Sequence, residues 1–472
     1  MLQKQTHMKY FIYTILFIIP TLTLAQKIVI NFETAPTATP SVSKAALKYN
    51  KDFAYSLTFD DGTVDAFTHV LPVLKGGFIQ GQGNFNPLYY TDGCGNNQVF
   101  RAGVAWNSVN FNNIDVHTGE VKNLLTWKQL DTLYDNNWDV MNHSFSHRSR
   151  FFFPMTQADY QNEIVKNIEM VKAKTRKAID MTMFVAPNGD DGYLNTALQL
   201  GQKATFDQSA ATIGYSGIQV DADLPSGLKL HRQLMEESLL SLNFLDKNAN
   251  RSVNGTHFWY NEFTHGIDQI SGQFTFYSFV SHMNRIMNTY GKGGSDRVWM
   301  APLQEVFEYL TFKQTAKFAV KHNGKALEVT FDLTQIPTWL RRKTLTLVVN
   351  TPQTFSKVDV PAGVTTTFNG TSTVKIINLD FTAFTATPTQ EVTPSVFKVF
   401  PNPSFDNVTI ELKDVVTLDT ELSVVDITGR IVIKEKMAGK IQQLNTSGLS
   451  KGIYFIQLKQ GNQAYAHKFV KQ

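Results

Sequence analysis

The chain has 472 residues, 42% of them hydrophobic, a near-neutral formal net charge of +4 and a single cysteine. Length and hydrophobic content exclude a disordered chain and point to two to four domains. Lys and Arg are dispersed rather than clustered, which gives no nucleic-acid footprint, and Cys94 alone can neither close an intramolecular disulfide nor build a thiolate zinc site, so any metal falls to His, Asp or Glu.

Residues 1–25 have the pattern of a secretory signal peptide. Lys4 and Lys9 precede an apolar run from Tyr10 to Leu24, and Ala25 and Gln26 follow as a cleavage region. The run is shorter than the ~20 residues that span a bilayer. No later stretch is apolar enough, so no stable membrane span is expected. A short polar leader, Thr34 to Ser43, comes next.

From Lys48 to Phe312, short apolar runs alternate with amphipathic helical patterns, which predicts an α/β domain; with the leader it is taken as 26–312. Strands are expected at Phe53–Phe59, Trp138–Asn142 and Thr182–Ala186, and helices at Thr126–Asn136, Gln157–Ala173 and Phe276–Tyr290. Each strand ends just before polar residues able to do chemistry. In parallel α/β folds such positions converge on the face formed by the strands' carboxyl ends.

Asp60 and Asp61, with Gly62, close the first strand. Adjacent carboxylates repel, so sending both to one site needs a bend and a cation or hydrogen bonds; a solvated, helix-capping turn is the alternative. His143 and His147 follow the second strand, four residues apart, and face one cation if the segment turns helically.

The order Thr58-Phe59-Asp60-Asp61-Gly62, then His143-Ser144-Phe145-Ser146-His147, resembles the polysaccharide deacetylase family, carbohydrate esterase family 4 or NodB-homology domain, over Lys48 to Phe312. The resemblance implies a distorted (β/α) barrel, with Asp60 as catalytic base and Asp61, His143 and His147 as ligands of a divalent metal, most often zinc. The third family motif corresponds to Val185-Ala186-Pro187-Asn188-Gly189, with Val185 where an arginine normally pairs with the base. Pro187 and Asn188 are expected at the substrate. The last motif fits Phe263-Thr264-His265-Gly266, making His265 the general acid, with His257 and His231 as competitors and Asp207 as a candidate to orient it. By residue type the mechanism is hydrolysis of an acetyl group by a metal-activated water, with Asp60 taking its proton and His265 protonating the leaving amine or alcohol. Tyr89, Tyr90, Trp106 and Phe258 to Tyr260 could stack on sugar rings or pack in a core.

Past Phe312 the runs alternate as β-strands, at Ala326–Leu333, Leu345–Val349 and Val374–Phe381, which predicts an accessory β-sandwich over 313–385. A Thr- and Pro-rich linker, Thr385 to Ser395, leads to a second all-β unit within 386–472. Three blocks there, Lys398-Val399-Phe400-Pro401-Asn402-Pro403, Asp426-Ile427-Thr428-Gly429-Arg430 and Leu449-Ser450-Lys451-Gly452-Ile453-Tyr454, resemble a type A sorting domain of the type IX secretion system. That resemblance implies the type IX machinery as a partner and a secreted or cell-surface destination. The expected function is deacetylation, N- or O-linked, of an extracellular acetylated polysaccharide. The alternative is a carbohydrate-binding or cell-surface protein on a catalytically decayed deacetylase scaffold.

Overall fold

The computed structural model describes residues 26–209, 217–224, 228–235, 245–247, 249–253, 255–267, 275–383, 397–412, 420–426, 430–460 and 463–472. The expected signal peptide, the linker and the middle of the Asp426 to Arg430 block lie outside them. The chain divides into two compact units between Thr385 and Ala386. Among the described residues no helix is long and apolar enough to cross a membrane.

Seven parallel strands close a barrel in the first unit: β1 (Phe53–Phe59), β2 (Gly103–Trp106), β3 (Asp139–Asn142), β4 (Met183–Val185), β5 (Ala204–Ser209), β6 (Leu228–Leu234) and β7 (Phe258–Thr264). Each pairs with the next, and β7 returns to β1 along its whole length, from Phe258 opposite Phe53 to Thr264 opposite Phe59. Three seams are short. β1 meets β2 only through Thr58 and Phe59, β3 meets β4 only through Asn142 opposite Phe184, and β6 meets β7 only through Gln233 and Leu234. The vacant edges at the start of β1 and β7 are taken by Val298–Met300 and Ile218–Gln219. The barrel is therefore distorted, as the family resemblance implied.

All seven residues of β1 are buried, as expected for a strand covered on both faces. Alternation puts Ser56, Thr58 and Asp60 on one face and Tyr55, Leu57 and Phe59 on the other. The second set meets helix Phe276–Tyr290, where the Phe59 and Phe279 rings pack edge to face at 6.1 Å, so Asp60 faces the barrel axis. Two further helices start in capping boxes, Trp127–Asp135 behind Thr126 and Gln157–Lys174 behind Thr156. The predicted strands and helices lie within a residue or two of the observed ones.

The sandwich corrects the expected partition. Taken as 313–385 alone it lacks two strands, because Gln26–Phe32 lies between Ala326–Asp332 and Phe355–Asp359, and Ser41–Lys44 pairs with Thr344–Asn350. The reason is burial: Ile28, Ile30 and Phe32 alternate inward against Leu327, Val329 and Phe331. At the start of β3, buried Asp139 takes a 2.6 Å contact from Arg342, which also reaches Glu308 at 3.1 Å. Glu305 beside them holds Arg101 at 2.5 Å and Lys48 at 3.1 Å.

The second unit is a separate all-β body. Its sheets order as Phe397–Phe400, Asn407–Leu412, Ile441–Asn445 and as Ile431–Lys436, Glu421–Asp426, Gly452–Gln460, Gln463–Lys471. Val408, Ile410, Leu422, Val424, Ile456 and Phe469 form its core.

Candidate active site

Asp60 and Asp61 sit where β1 ends. The Asp60 amide still donates to Thr264 O of β7 at 2.9 Å, and then Asp61 and Gly62 both adopt left-handed backbone, with φ of 64° and 62°. That bend lets two consecutive carboxylates enter one site, at a local cost of about 1–2 kcal/mol for a non-glycine residue. At Gly62 a Cβ would lie 3.2 Å from both His117 and Trp106, so glycine is needed for space as well as for φ.

His143 directly follows β3. Its Nδ1 lies 2.8 Å from the backbone carbonyl of Val185, an acceptor only, so Nδ1 carries the proton and Nε2 presents a lone pair to the site. Val185 thus contributes its carbonyl, although it lacks the side chain expected at that place. His147 is brought back by left-handed residues Ser144 and His147, with its amide donating to Ser144 Oγ at 3.0 Å.

Helix Gln157–Lys174 fixes this turn from outside. Glu163 accepts from the Ser146 amide at 2.8 Å and its hydroxyl at 2.7 Å. Four residues on, Asn167 donates to Asn142 Oδ1 at 2.8 Å, which also accepts from the Ser144 amide at 3.0 Å. Both histidines therefore hang on a turn bracketed by one helix face.

Asp61 Oδ1 lies 3.3 Å from His143 Nε2 and 3.1 Å from His147 Nε2. These are ion-pair distances, but the angles are not those of hydrogen bonds, and all three atoms are buried without a hydrogen-bond partner. One ligand atom from each residue falls within 4.8 Å of the others. Two imidazole nitrogens and one carboxylate oxygen, orphaned and convergent, fit a divalent cation of the zinc type with a position left open.

Asp60, fully buried, is gripped by Arg232 of β6, whose two terminal nitrogens each lie 2.8 Å from a different carboxylate oxygen. The guanidinium also lies over the Phe263 ring, 4.2 Å from its centroid. Burial pushes the Asp60 carboxyl up, but Arg232, then His143 and His265, bring it below its usual value. Arg232 was missed in the sequence. Its signal was an arginine between Leu230 and Leu234 on the buried parity of a strand.

His265 follows β7, with Nε2 3.8 Å from Asp61 Oδ2 and its carbonyl held by Thr63 Oγ1 at 2.7 Å. The competitors are engaged elsewhere: His231 with Asp207 at 2.7 Å, on the face of β6 opposite Arg232, and His257 with Asp221 at 2.6 Å. Asp207 accordingly orients His231 and not His265.

Residues 47–209 match the polysaccharide deacetylase family. Residues 398–472 match the secretion system C-terminal sorting domain. Among solved structures, the chain is similar to the Streptococcus pyogenes deacetylase PplD in complex with acetate, at 16% identity and TM-score 0.25, covering 37% of this chain and 63% of that one. It is also similar to the BpsB deacetylase domain of Bordetella bronchiseptica, at 14% identity and TM-score 0.24, covering 44% and 72%. A third similarity is to PorZ, a surface component of the type-IX secretion system of Porphyromonas gingivalis, at 16% identity and TM-score 0.15, covering 23% and 15%. The chain thus spans a little under two thirds of the streptococcal deacetylase. No curated protein matches the chain.

The deacetylase match ends at 209, so Arg232 and His265 join the site through barrel closure alone. The third-motif residues lie in a tight turn after β4, with Pro187 buried and Asn188 Nδ2 3.3 Å from Ser149 Oγ of the loop beyond His147. Of the aromatic residues considered for sugar stacking, Tyr90, Trp106, Phe258, Trp259 and Tyr260 are buried in the core of the first unit.

Proposed function

We propose that this protein is a secreted, metal-dependent hydrolase that removes acetyl groups from an extracellular polysaccharide. The observation that carries the proposal is the meeting of a convergent Asp61, His143 and His147 donor set with a buried Asp60–Arg232 pair at the carboxyl ends of the barrel strands. Asp61, His143 and His147 would hold the cation, a zinc-type ion, which when bound supplies Lewis acidity and an activated water.

The chain's own groups handle the protons. Arg232 keeps Asp60 ionised and fixes both of its oxygens, so the carboxylate is ready to accept a proton from the attacking water. His265, protonated, would donate to the nitrogen or oxygen that leaves with the sugar. Asp60 gains one proton as His265 loses one; the acetic acid formed gives its proton to the freed amine or to solvent and leaves as acetate, and passage of a proton from Asp60 to His265 through solvent restores the starting state. The Val185 carbonyl holds the His143 tautomer that keeps Nε2 unprotonated.

The sorting-domain match at 398–472 supports export by a type IX machinery to the cell surface or medium, and the signal-peptide pattern of residues 1–25 supports entry into the periplasm first. Metal content together with acetate release from chitin oligomers, peptidoglycan, acetylated xylan and exopolysaccharide tests the enzymatic reading. Bound metal with no acetate from any of them would favour the carbohydrate-binding alternative.

A further inference from the structure

The loop beyond His147 carries Arg148-Ser149-Arg150-Phe151-Phe152-Phe153, and its side chains contradict its depth. Ser149 is fully buried while Phe151 is 56% and Phe152 69% exposed. Nor is this a loosely held loop. Arg148 O accepts from Tyr193 at 2.6 Å, the Arg150 amide donates to Asp190 at 2.7 Å, and Ser149 O accepts from the Phe152 and Phe153 amides at 3.1 and 3.0 Å. A pinned turn that points phenylalanines at water keeps an unfavourable surface in place, which marks a binding site.

The patch is continuous with the site. Phe111, itself 47% exposed, has its ring 6.4 Å from the His147 ring and 5.3 Å from that of Phe153. Phe111 and Phe153 therefore connect a metal-site histidine to the loop that carries the exposed Phe151 and Phe152. Two cations and two carboxylates border the patch: Arg148 lies over the Phe153 ring at 5.4 Å and donates to Phe111 O at 3.1 Å, and Arg150, 5.3 Å from the Phe151 ring centroid, pairs with Asp190 at 3.5 Å and Asp191 at 2.9 Å. Phenyl faces without hydroxyl or indole partners suit the apolar C–H face of a pyranose ring, and balanced charge suits an uncharged chain rather than an anionic one.

We propose that Phe111, Phe151 and Phe152 form a stacking platform for the uncharged acetylated sugar rings next to the one being deacetylated. The proposal rests on the deacetylase reading and adds where the chain lies and what it presents. Binding energy from rings remote from the reacting acetyl group would then grow with chain length.

The test compares the wild type with F152A and F151A/F152A, exposed positions where truncation spares the core, using N-acetylglucosamine oligomers and acetylated xylo-oligomers of one to five rings. The expected result is a deficit in kcat/KM that grows with chain length, reaching about tenfold at five rings, carried by KM rather than kcat. An equal deficit at every length, or none, overturns the platform. Calorimetric binding of the same oligomers separates the two readings: if wild type hydrolyses nothing yet binds pentamers more tightly than the double variant does, the platform stands and the deacetylase reading falls. Loss of pelleting with phosphatidylcholine vesicles in the variant, with oligomer binding intact, would assign the patch to a lipid surface and overturn the proposal.

Discussion

Arg232 and Asp60 meet as a fully buried, two-pronged ion pair, with 2.8 Å between each terminal nitrogen and its own carboxylate oxygen, although 172 residues separate them in sequence. A lysine cannot reproduce this grip, since one ammonium cannot span both oxygens in that plane. Removing the guanidinium altogether leaves a buried carboxylate with only histidines near it, so burial would then raise the Asp60 value instead of being overridden. Arg232→Met should lower kcat by about a hundredfold or more and move the acid limb of the kcat profile to higher pH. Arg232→Lys should fall between. Asp60→Asn should lose about 10²–10⁴ in kcat while keeping its metal; a fully active Asp60→Asn enzyme removes Asp60 from the base role.

Metal retention can be probed without turnover. His147→Ala removes one of the three convergent donors and should abolish stoichiometric zinc in a metal assay of the purified protein. Glu163→Gln is more discriminating. The variant keeps the shape but weakens a carboxylate that accepts from both the amide and hydroxyl of Ser146. Zinc affinity, read by competition with a chelating dye, should fall about 10–100-fold, the usual cost of losing an outer support. An unchanged affinity would show that the His143 to His147 turn holds itself.

Glu305 gives a stability test far from this chemistry. Burial raises its carboxyl, but Arg101, Lys48 and Arg342 bring it well below the usual range. A depressed folded value contributes stability that is fully present above the unfolded value of about 4.3 and is lost as pH falls through the folded one. Glu305→Gln leaves buried cations without their counter-charge, so at pH 7 it should destabilise the first unit by about 3–5 kcal/mol. The gap to wild type, measured as the urea midpoint, should narrow progressively below pH ~4.3. A gap constant with pH would place its origin in packing.

What the sequence made legible was what lies close along the chain. Asp60 with Asp61 and His143 with His147 are neighbours, and the apolar runs before them named their strands. Arg232 was hidden because its partner is set by barrel closure through β6 and β7, and because position 185, where the family motif places an arginine, supplies only a carbonyl. The sandwich boundary failed for the same reason: Gln26–Phe32 finds Ala326–Asp332 some 300 residues on. Of the two roles open to the aromatic residues, burial decides for core packing at Trp106 and Trp259, while the exposed rings belong to the Phe-rich run after His147.

The C-terminal unit offers a test of destination that does not touch the barrel. It has its own core of Val408, Ile410, Leu422, Val424, Ile456 and Phe469, and it is compact apart from the rest of the chain. Deleting Val399 to Gln472 therefore removes that body except for Phe397 and Lys398 of its first strand, and leaves the barrel core and the sandwich core uncut. If that body is an address, the truncated protein should accumulate in the periplasm with its zinc content and acetate release intact, while the full chain reaches the surface or medium. Fractionation with immunodetection reads this directly. Normal appearance of the truncated protein in the medium would remove the sorting role. Aspartate at Val424 makes a subtler variant, because a buried charge should unfold the sorting unit alone and trap the chain in the same compartment.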